Sequence, residues 1–348
     1  MKFYKFIIII LIVFLKTGNL LSDDNIFSVN NIELIKKVKT TNQQLVNEAI
    51  EKGFNKLTKK ILLEEDIRVL SKLNFNQIKD LVSYYQVVNK VNDTENADII
   101  IYNITFDKDK LHNLFYKKGI SYSQITNKEL FLLPILKKDS QIYIYRQNFF
   151  YNEWNEFNNS VTIDFILPQE NIEVIQNINI NKNNLLNIQL NNLFEEYSKE
   201  NLALVLIEDT NSNEAKIYLK IKIFDKNIVK NIVINKLNLS QEKFNEKIII
   251  EIKNEIINIV KSQSLIDIRI PSFLNVKLDI NKDVTLFQLN QRIKKIDLIE
   301  NIYVQELNNK SVILKIKYLG KLDRIIKQLE EQKIILKSKG DQWSIKII

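Results

Sequence analysis

The densest chemical signal in the chain is aromatic. The stretch QIYIYRQNFFYNEWNEF carries Tyr143, Tyr145, Phe149, Phe150, Tyr151, Trp154 and Phe157. Tyrosine and tryptophan combine broad apolar area with a polar tip, which suits a ligand groove or a protein interface. Tyr143, Tyr145, Phe149, Phe150 and Trp154 are therefore the candidate partner-binding residues. Rings of this kind also fill cores and pack modules together, and without a second aromatic cluster to pair with, packing is the commoner use of such a stretch.

Other chemistry is sparse. The chain has no cysteine, one histidine (His112) and a single methionine, at position 1. Thiol nucleophiles, thiolate metal sites, redox dithiols and lipid-modified cysteine are excluded. A zinc site or a Ser-His-Asp triad would have to be built on His112 alone, which stands beside Leu111 on a helical pattern and reads as a packing or surface residue. With five glycines in the whole chain there is no Gly-rich phosphate loop. Carboxylates cluster at Asp23-Asp24, Glu64-Glu65-Asp66, Glu195-Glu196 and Glu330-Glu331. Two of them meeting in a pocket could work as acid and base, although most such pairs lie on solvated surface. No catalytic, cofactor-binding or metal-ligating residue is assigned, and no cofactor is expected.

The elements that must position these groups follow from periodicity. Residues 23–42 are polar and read as irregular. Val46, Ile50, Phe54, Leu57 and Ile61 make a helical stripe from about Gln43 to Leu62, and two shorter helices follow. A strand around Tyr85 to Val91 and a turn at Asp93 precede the strand ADIIIYNITF. The helix FDKDKLHNLFYKKGI then stops at Gly119. ELFLLPIL is apolar enough for a strand covered on both faces, with Pro134 fitting an edge or a strand exit. Beyond the aromatic stretch, NLLNIQLNNLFEEYS reads as a helix. AKIYLKIKIFD alternates Ile217, Leu219, Ile221 and Ile223 with Lys216, Lys220 and Lys222, a strand with one wet face. That lysine row could bind phosphates, but a solvated, edge-protecting face is the commoner use. Ser240 caps a helix from Gln241 to Lys261.

The last segment repeats strand, helix, strand, strand, helix, strand. Asp283 can cap the first of these helices, Asn308, Asn309 and Lys310 form a hairpin turn, and a further strand pair turns at Gly340-Asp341. This is a ferredoxin-like βαββαβ order. ITFDKDKLHNLFYKKGI and IKYLGKLDRIIKQLEEQKI share a strand, a polar turn and an amphipathic helix, a pattern that two ordinary βα units also produce. The expected class is α+β, built of three small α/β modules: a signal peptide over 1–22, then 23–127, 128–271 and the ferredoxin-like 272–348.

The opening MKFYKFIIIILIVFLKTGNLLSDD sets the expected address. Lys2 and Lys5 precede an apolar run from Phe6 to Leu15, about 15 Å long as a helix and roughly half a bilayer's hydrocarbon thickness. That describes a secretory signal peptide, cut near Ser22. Leu20 is a poor cleavage determinant, so an inner-membrane anchor over residues 6–21 is the alternative. Losing Lys2, Lys5 and Lys16 with such a leader lowers the net charge from +8 to +5. The remaining lysines and glutamates are interspersed, which argues against a nucleic-acid surface and leaves the N-terminal segment as the sole expected membrane contact.

In order and patterning the chain resembles an exported bacterial family, the domain-of-unknown-function family numbered twenty sixty-six. The resemblance lies in VNEAIEKGFNKLTKKIL, ITFDKDKLHNLFYKKGI, ELFLLPIL with NFFYNEWNEF, and SVILKIKYLGKLDRIIKQLEEQKIILKSKGDQWSIKI. It covers most of the chain beyond the leader, and none of its segments is a sharp catalytic motif. The middle module is also similar to the small α/β domain of Tol-propeller amino termini and of curli-pore and flagellar-collar subunits. These resemblances imply a periplasmic, non-enzymatic role with other envelope proteins as partners. Two further hypotheses stand beside an assembly or scaffold factor: a small-ligand sensor with its cleft beside the aromatic stretch or the terminal sheet, and a carboxylate-dependent hydrolase.

Overall fold

The computed structural model describes residues 25–36, 40–92, 98–124, 128–157, 162–197, 201–209, 213–224, 226–280, 286–308, 310–339 and 342–348. The signal-peptide segment, Asp93, Asp283, Asn309 and Gly340-Asp341 fall outside them. The fold is α+β, with several small sheets. Among the described residues no helix is long and apolar enough to cross a membrane.

The chain divides into two compact units. One gathers Met1–Lys59, Asp66–Ser121 and Ile266–Ile348; the other holds Lys60–Glu65 and Tyr122–Leu265. The first and last segments expected as separate modules thus share a unit, and the middle segment is an excursion between them.

The first unit begins with strand β1 (Ser28–Lys36), where the sequence pattern suggested irregular chain. Alternation is hidden by a bulge: the inward residues Val29, Ile32 and Leu34 include one gap of three, and the register against the partner strand shifts between Val29 and Ile32. Helix α1 (Asn42–Ile61) follows, then α2 (Glu64–Leu70) and α3 (Phe75–Asp80), the last closed by a capping box between Asn74 and Gln77. Strands β2 (Val82–Asn92) and β3 (Asp98–Phe106) complete a three-stranded sheet with β3 central and antiparallel to both neighbours. Helix α1 lies close on this sheet. A Cβ at Gly53 would stand 3.1 Å from Ile32 and 3.2 Å from Ile104. Helix α4 (Lys108–Lys118) is capped by Asp107 and ends at Gly119, whose φ of 70° is the left-handed stop expected there.

The second unit is built on β4 (Lys128–Lys138), the ELFLLPIL strand. It is followed by β5 (Gln141–Tyr143), α5 (Phe149–Glu153), β6 (Ile163–Ile166), α6 (Ile172–Ile180) and α7 (Leu190–Leu193). Strands β7 (Leu202–Asp209), β8 (Glu214–Ile223) and β9 (Lys226–Asn235) and helix α8 (Gln241–Ser262) complete it. The sheet runs β9-β8-β7-β4-β5, with β6 pairing the other end of the β4 edge that β5 occupies. As its apolar run implied, β4 is covered on both faces. Leu130 and Leu132 pack with α8 and the inner residues of β8, whereas Leu133 and Ile135 pack under α6 and α7. Ser240 caps α8 through Lys243 N, and Phe244, Ile248, Ile252, Ile256 and Val260 are all buried.

Three expectations for this unit are corrected. Pro134 sits in mid-strand and not at a strand exit, opposite Val205 of β7 on one side and, on the other, in the stretch of the β4 edge that β5 and β6 leave open. It is tolerated because its nitrogen and carbonyl face the gap left between β6 and β5, and there Asn148 Nδ2 donates to Pro134 O at 2.9 Å. The helix expected over 184–198 breaks into a 3₁₀ turn at Leu185–Asn187, the single-turn α7 and a second 3₁₀ turn at Glu195–Tyr197. The lysine face of β8 is not wholly wet. Lys220 Nζ donates to the carbonyls of Leu186 and Ile188, both at 2.9 Å, and so closes the open backbone of that broken segment.

The closing segment of the first unit runs β10 (Ser272–Asp279), α9 (Leu286–Ile293), β11 (Ile299–Leu307), β12 (Ser311–Tyr318), α10 (Leu322–Glu331), β13 (Ile334–Lys339) and β14 (Gln342–Ile347). The βαββαβ order is present and extended by one strand. The sheet order is β11-β12-β10-β14-β13, so β14 lies between β10 and β13, parallel to the first and antiparallel to the second. Its alternating Ile345 and Ile347 are buried, which fixes that register. The β11–β12 turn is held by Asn308 Oδ1, which accepts from Lys310 N at 2.9 Å and Ser311 N at 2.8 Å. The two sheets of this unit share one plan. β3 with α4, and β12 with α10, are each the central strand of a β-α-β-β arrangement and the helix after it, which accounts for their similar sequence patterns.

Candidate functional site

The aromatic stretch forms a turn that crosses from β5 to α5. Its anchor is Asn148, fully buried, which bonds the Pro134 carbonyl and accepts from Phe150 N at 3.0 Å to cap α5. This pin sends the rings to opposite sides of the sheet. Phe150 and Trp154 enter the core under α8, and Tyr145 enters the core under α6. Of the five candidate contact residues, Tyr145, Phe150 and Trp154 are buried and cannot meet a protein partner's surface. Tyr143 and Phe149 are half-buried, the former donating its hydroxyl to Gln141 and the latter packing edge-on against Phe150.

Tyr145 carries the chemistry of the turn. Its backbone is left-handed, with φ of 50°, a conformation bulky residues rarely adopt. Its ring meets Tyr151 edge-on at 5.4 Å, and Tyr151 donates its hydroxyl to Pro168 O at 2.8 Å, which ties down the loop leading to α6. Tyr145 lines a cavity of about 270 Å³ with Pro168, Gln169, Glu170, Asn171 and residues of α6 on one side, and with Asn192 to Tyr197 on the other. The Tyr145 hydroxyl is enclosed and its hydrogen has no acceptor. Burial pushes its pKa up to about 12, against a smaller downward pull from the nearby Asn171 backbone N–H. At neutral pH it is a hydrogen-bond donor and not a base.

The cavity wall is acidic. Glu170, Glu173, Glu195 and Glu196 line it with their side chains largely exposed, and among the described residues no lysine or arginine does. Arg146 reaches Glu170 from the solvent side at 3.9 Å, with its side chain 90% exposed. Tyr197 is held on the rim by stacking on Phe131 at 4.2 Å. Of the carboxylate pairs visible in the sequence, Glu195-Glu196 lies exposed at the edge of the cavity and Glu330-Glu331 lies exposed at the end of α10. Sequence reasoning passed over Glu170 and Glu173 because, three residues apart in PQENIEV, they form no run of adjacent acids.

Three further titratable groups, His112, Lys253 and Lys261, are packed inside the protein. His112 meets Phe27 edge-on at 5.6 Å and lies 3.9 Å from Glu300, its side chain only 11% exposed. Burial, and then the charge of Lys108, lower its pKa to about 4, so at neutral pH the imidazole is uncharged and the Glu300 contact is not an ion pair. Glu300 instead pairs with Lys317 at 2.7 Å. Two lysines of α8 are buried. Lys253 donates to Phe157 O at 2.6 Å beneath the rings of Trp154 and Phe165, and Lys261 donates to Leu62 O at 2.8 Å. Burial lowers both to about 8. Among the described residues no group of three or more His, Cys, Asp or Glu could hold a metal ion.

No family model and no curated protein matches the chain. A solved structure described as "Crystal structure of uncharacterized protein" is similar over 40% of this chain and 94% of that one, at 9% identity and a TM-score of 0.17, too slight a likeness to carry an argument.

Proposed function

We propose that this chain is an exported, non-enzymatic binding protein whose second unit holds a small ligand in the cavity beside the aromatic turn. The observation that carries this reading is the cavity itself, about 270 Å³, in which polar side chains of Gln169, Asn177 and Asn192 stand among the apolar Val174, Leu193 and Phe194. Export is supported by the basic and apolar composition of residues 2–16 and by the resemblance to exported families. The test is a thermal-shift screen of the full chain against small metabolites. A ligand at 100 times its Kd adds about 2.7 kcal/mol to the stability of the state that binds it. Such a hit should disappear when Asn177→Trp fills the cavity. A screen without hits, or hits indifferent to that substitution, would count against this function.

A second reading, an envelope scaffold, has its own support in β2. Among the described residues this strand pairs only with β3, and Tyr84, Tyr85, Val87 and Val88 are exposed along it. An apolar edge can take a further strand from an envelope protein. Photo-crosslinking from position 85 in intact cells would capture that partner; a chain that remains uncrosslinked would argue for the ligand-binding role alone.

A further inference from the structure

We propose that the free edge of β2 pairs with the same edge of a second copy of this chain, antiparallel about a two-fold axis, joining two three-stranded sheets into one of six strands. This rests on the reading of β2 as an edge that takes a further strand. Residues Val82 to Val88, VSYYQVV, are an uncharged run without proline or glycine, and Lys90 is the first charge along the strand. Tyr84, Tyr85, Val87 and Val88 are exposed by 48% to 59%. The other long edge strands are guarded: β1 by Glu33 and Lys36, β9 by Lys226 and Lys230, β11 by Glu300 and Glu306, and β13 by Lys337. Charges of that kind keep an edge from pairing with a further strand, and β2 lacks them where it is most apolar.

Charge and geometry select a second copy as the occupant. The chain carries +8, so two copies repel one another unless they meet on neutral surface, and this run is the neutral edge. A partner of opposite charge would be drawn to the lysine-bearing edges instead. Register shifts at Val82/Tyr84 and Val87/Asn89 bracket a regular stretch, Tyr84 to Val87. In it Tyr85 and Val87 share the face of Ile104 and Tyr102, and Tyr84 and Gln86 share the face of Thr105 and Asn103. A two-fold axis normal to the sheet keeps every side chain on its own face, so it must pass through a residue that opposes itself, Tyr85 or Gln86. With Tyr85 on the axis, Tyr84 meets Gln86; with Gln86 on the axis, Tyr85 meets Val87. Neither register sets charge against charge. Ile104 and Tyr102 are buried on the face that α1 covers, where Ile104 lies against Gly53, whereas Tyr85 and Val87 beside them are half-exposed. In the joined sheet these side chains cover one another across the axis. The contact is closed: it uses both free edges and leaves neither to propagate.

The experiment is sedimentation velocity of the full chain over about 1–200 µM, at low and high salt. One strand pair is a small, transient-class interface, so the dimer should be half-formed at about 10–100 µM. It should tighten as salt screens the repulsion between two basic copies. The Tyr85→Lys/Val87→Lys double variant opposes like charges in either register, and it should weaken the dimer at least about tenfold while circular dichroism stays that of the parent. Because the chain has no cysteine, Tyr85→Cys and Gln86→Cys report the register directly. Self-opposed residues stand about 4.5–5.5 Å apart at Cα, within disulfide reach, so one of the two should give a covalent dimer on mild oxidation, and Ile35→Cys on β1 should not. A dimer that the double lysine variant leaves intact, one that weakens as salt is raised, or failure of both cysteines to link overturns the proposal. A monomer that photo-crosslinks from position 85 to a different protein overturns the second copy and leaves β2 as a strand acceptor. A monomer that crosslinks to nothing overturns both.

Discussion

Replacing His112 with glutamine removes the only imidazole in the chain and, with it, a defined part of the pH dependence of stability. In the folded protein the His112 pKa is lowered from 6.5 to about 4, first by burial against Phe27 and then by Lys108, with Glu300 and Asp109 pulling weakly the other way. Between these values the unfolded chain binds a proton that the folded chain does not, so stability must rise with pH across that window. The contribution is complete above pH 6.5 and is lost as pH falls towards 4. At about 1.36 kcal/mol per tenfold difference in proton affinity, the interval amounts to roughly 3 kcal/mol. A side chain only 11% exposed leaves little room for water to shrink that figure. The assay is urea unfolding from pH 4 to 8, followed by Trp343 fluorescence in a Trp154→Phe background, because Trp343 is the tryptophan in the unit that contains His112. Carboxylates also titrate towards the acid end, so the informative quantity is the difference in slope between parent and His112→Gln. The parent should lose about 2–3 kcal/mol more than the variant between pH 6.5 and 4. The single histidine also gives one assignable imidazole resonance, which should titrate near 4. A resonance titrating at 6.5 or above, or two parallel stability curves, would refute the argument.

Two further substitutions test the second unit. Lys253→Met should stabilise the protein at pH 7 by about 1–2 kcal/mol, since the lysine is charged there at a desolvation cost that methionine avoids, less the lost bond to Phe157 O and the lost ring contacts. Because the folded pKa of about 8 lies below the unfolded 10.5, the parent gains stability as pH rises between them. The advantage of the variant should therefore shrink over that range, and denaturation at pH 7 and pH 10 checks both signs. Asn148→Leu should cost about 2–3 kcal/mol by leaving the Pro134 carbonyl and the first amides of α5 unpaired, and it should also weaken any ligand held beside Tyr145; equal chemical-denaturation midpoints would contradict this.

Much of the fold was legible because its signals are local. The double-sided apolar run of β4, the clean alternation of β8, the stripe and Ser240 cap of α8 and the Gly119 stop of α4 each depend on residues within one element, and each stands where periodicity placed it. The sequence by itself also marked the aromatic stretch, and the fold turns three of its five candidate contact rings, Tyr145, Phe150 and Trp154, into core. Tertiary structure decided the rest, for reasons that local period cannot carry. Strand β1 exists because β3 pairs with it across a bulge that breaks its alternation. Pro134 is accepted in mid-strand because it faces the stretch of edge that the neighbouring strands leave open, where Asn148 bonds its carbonyl. The segment after Asn184 forsakes its helical pattern because Lys220, from another strand, holds its open carbonyls. The cavity itself joins Tyr145, Glu170, Glu173, Glu195 and Glu196 from separate segments. Which acids share a pocket depends on how these separate segments are packed together, and only the folded chain brings those atoms together.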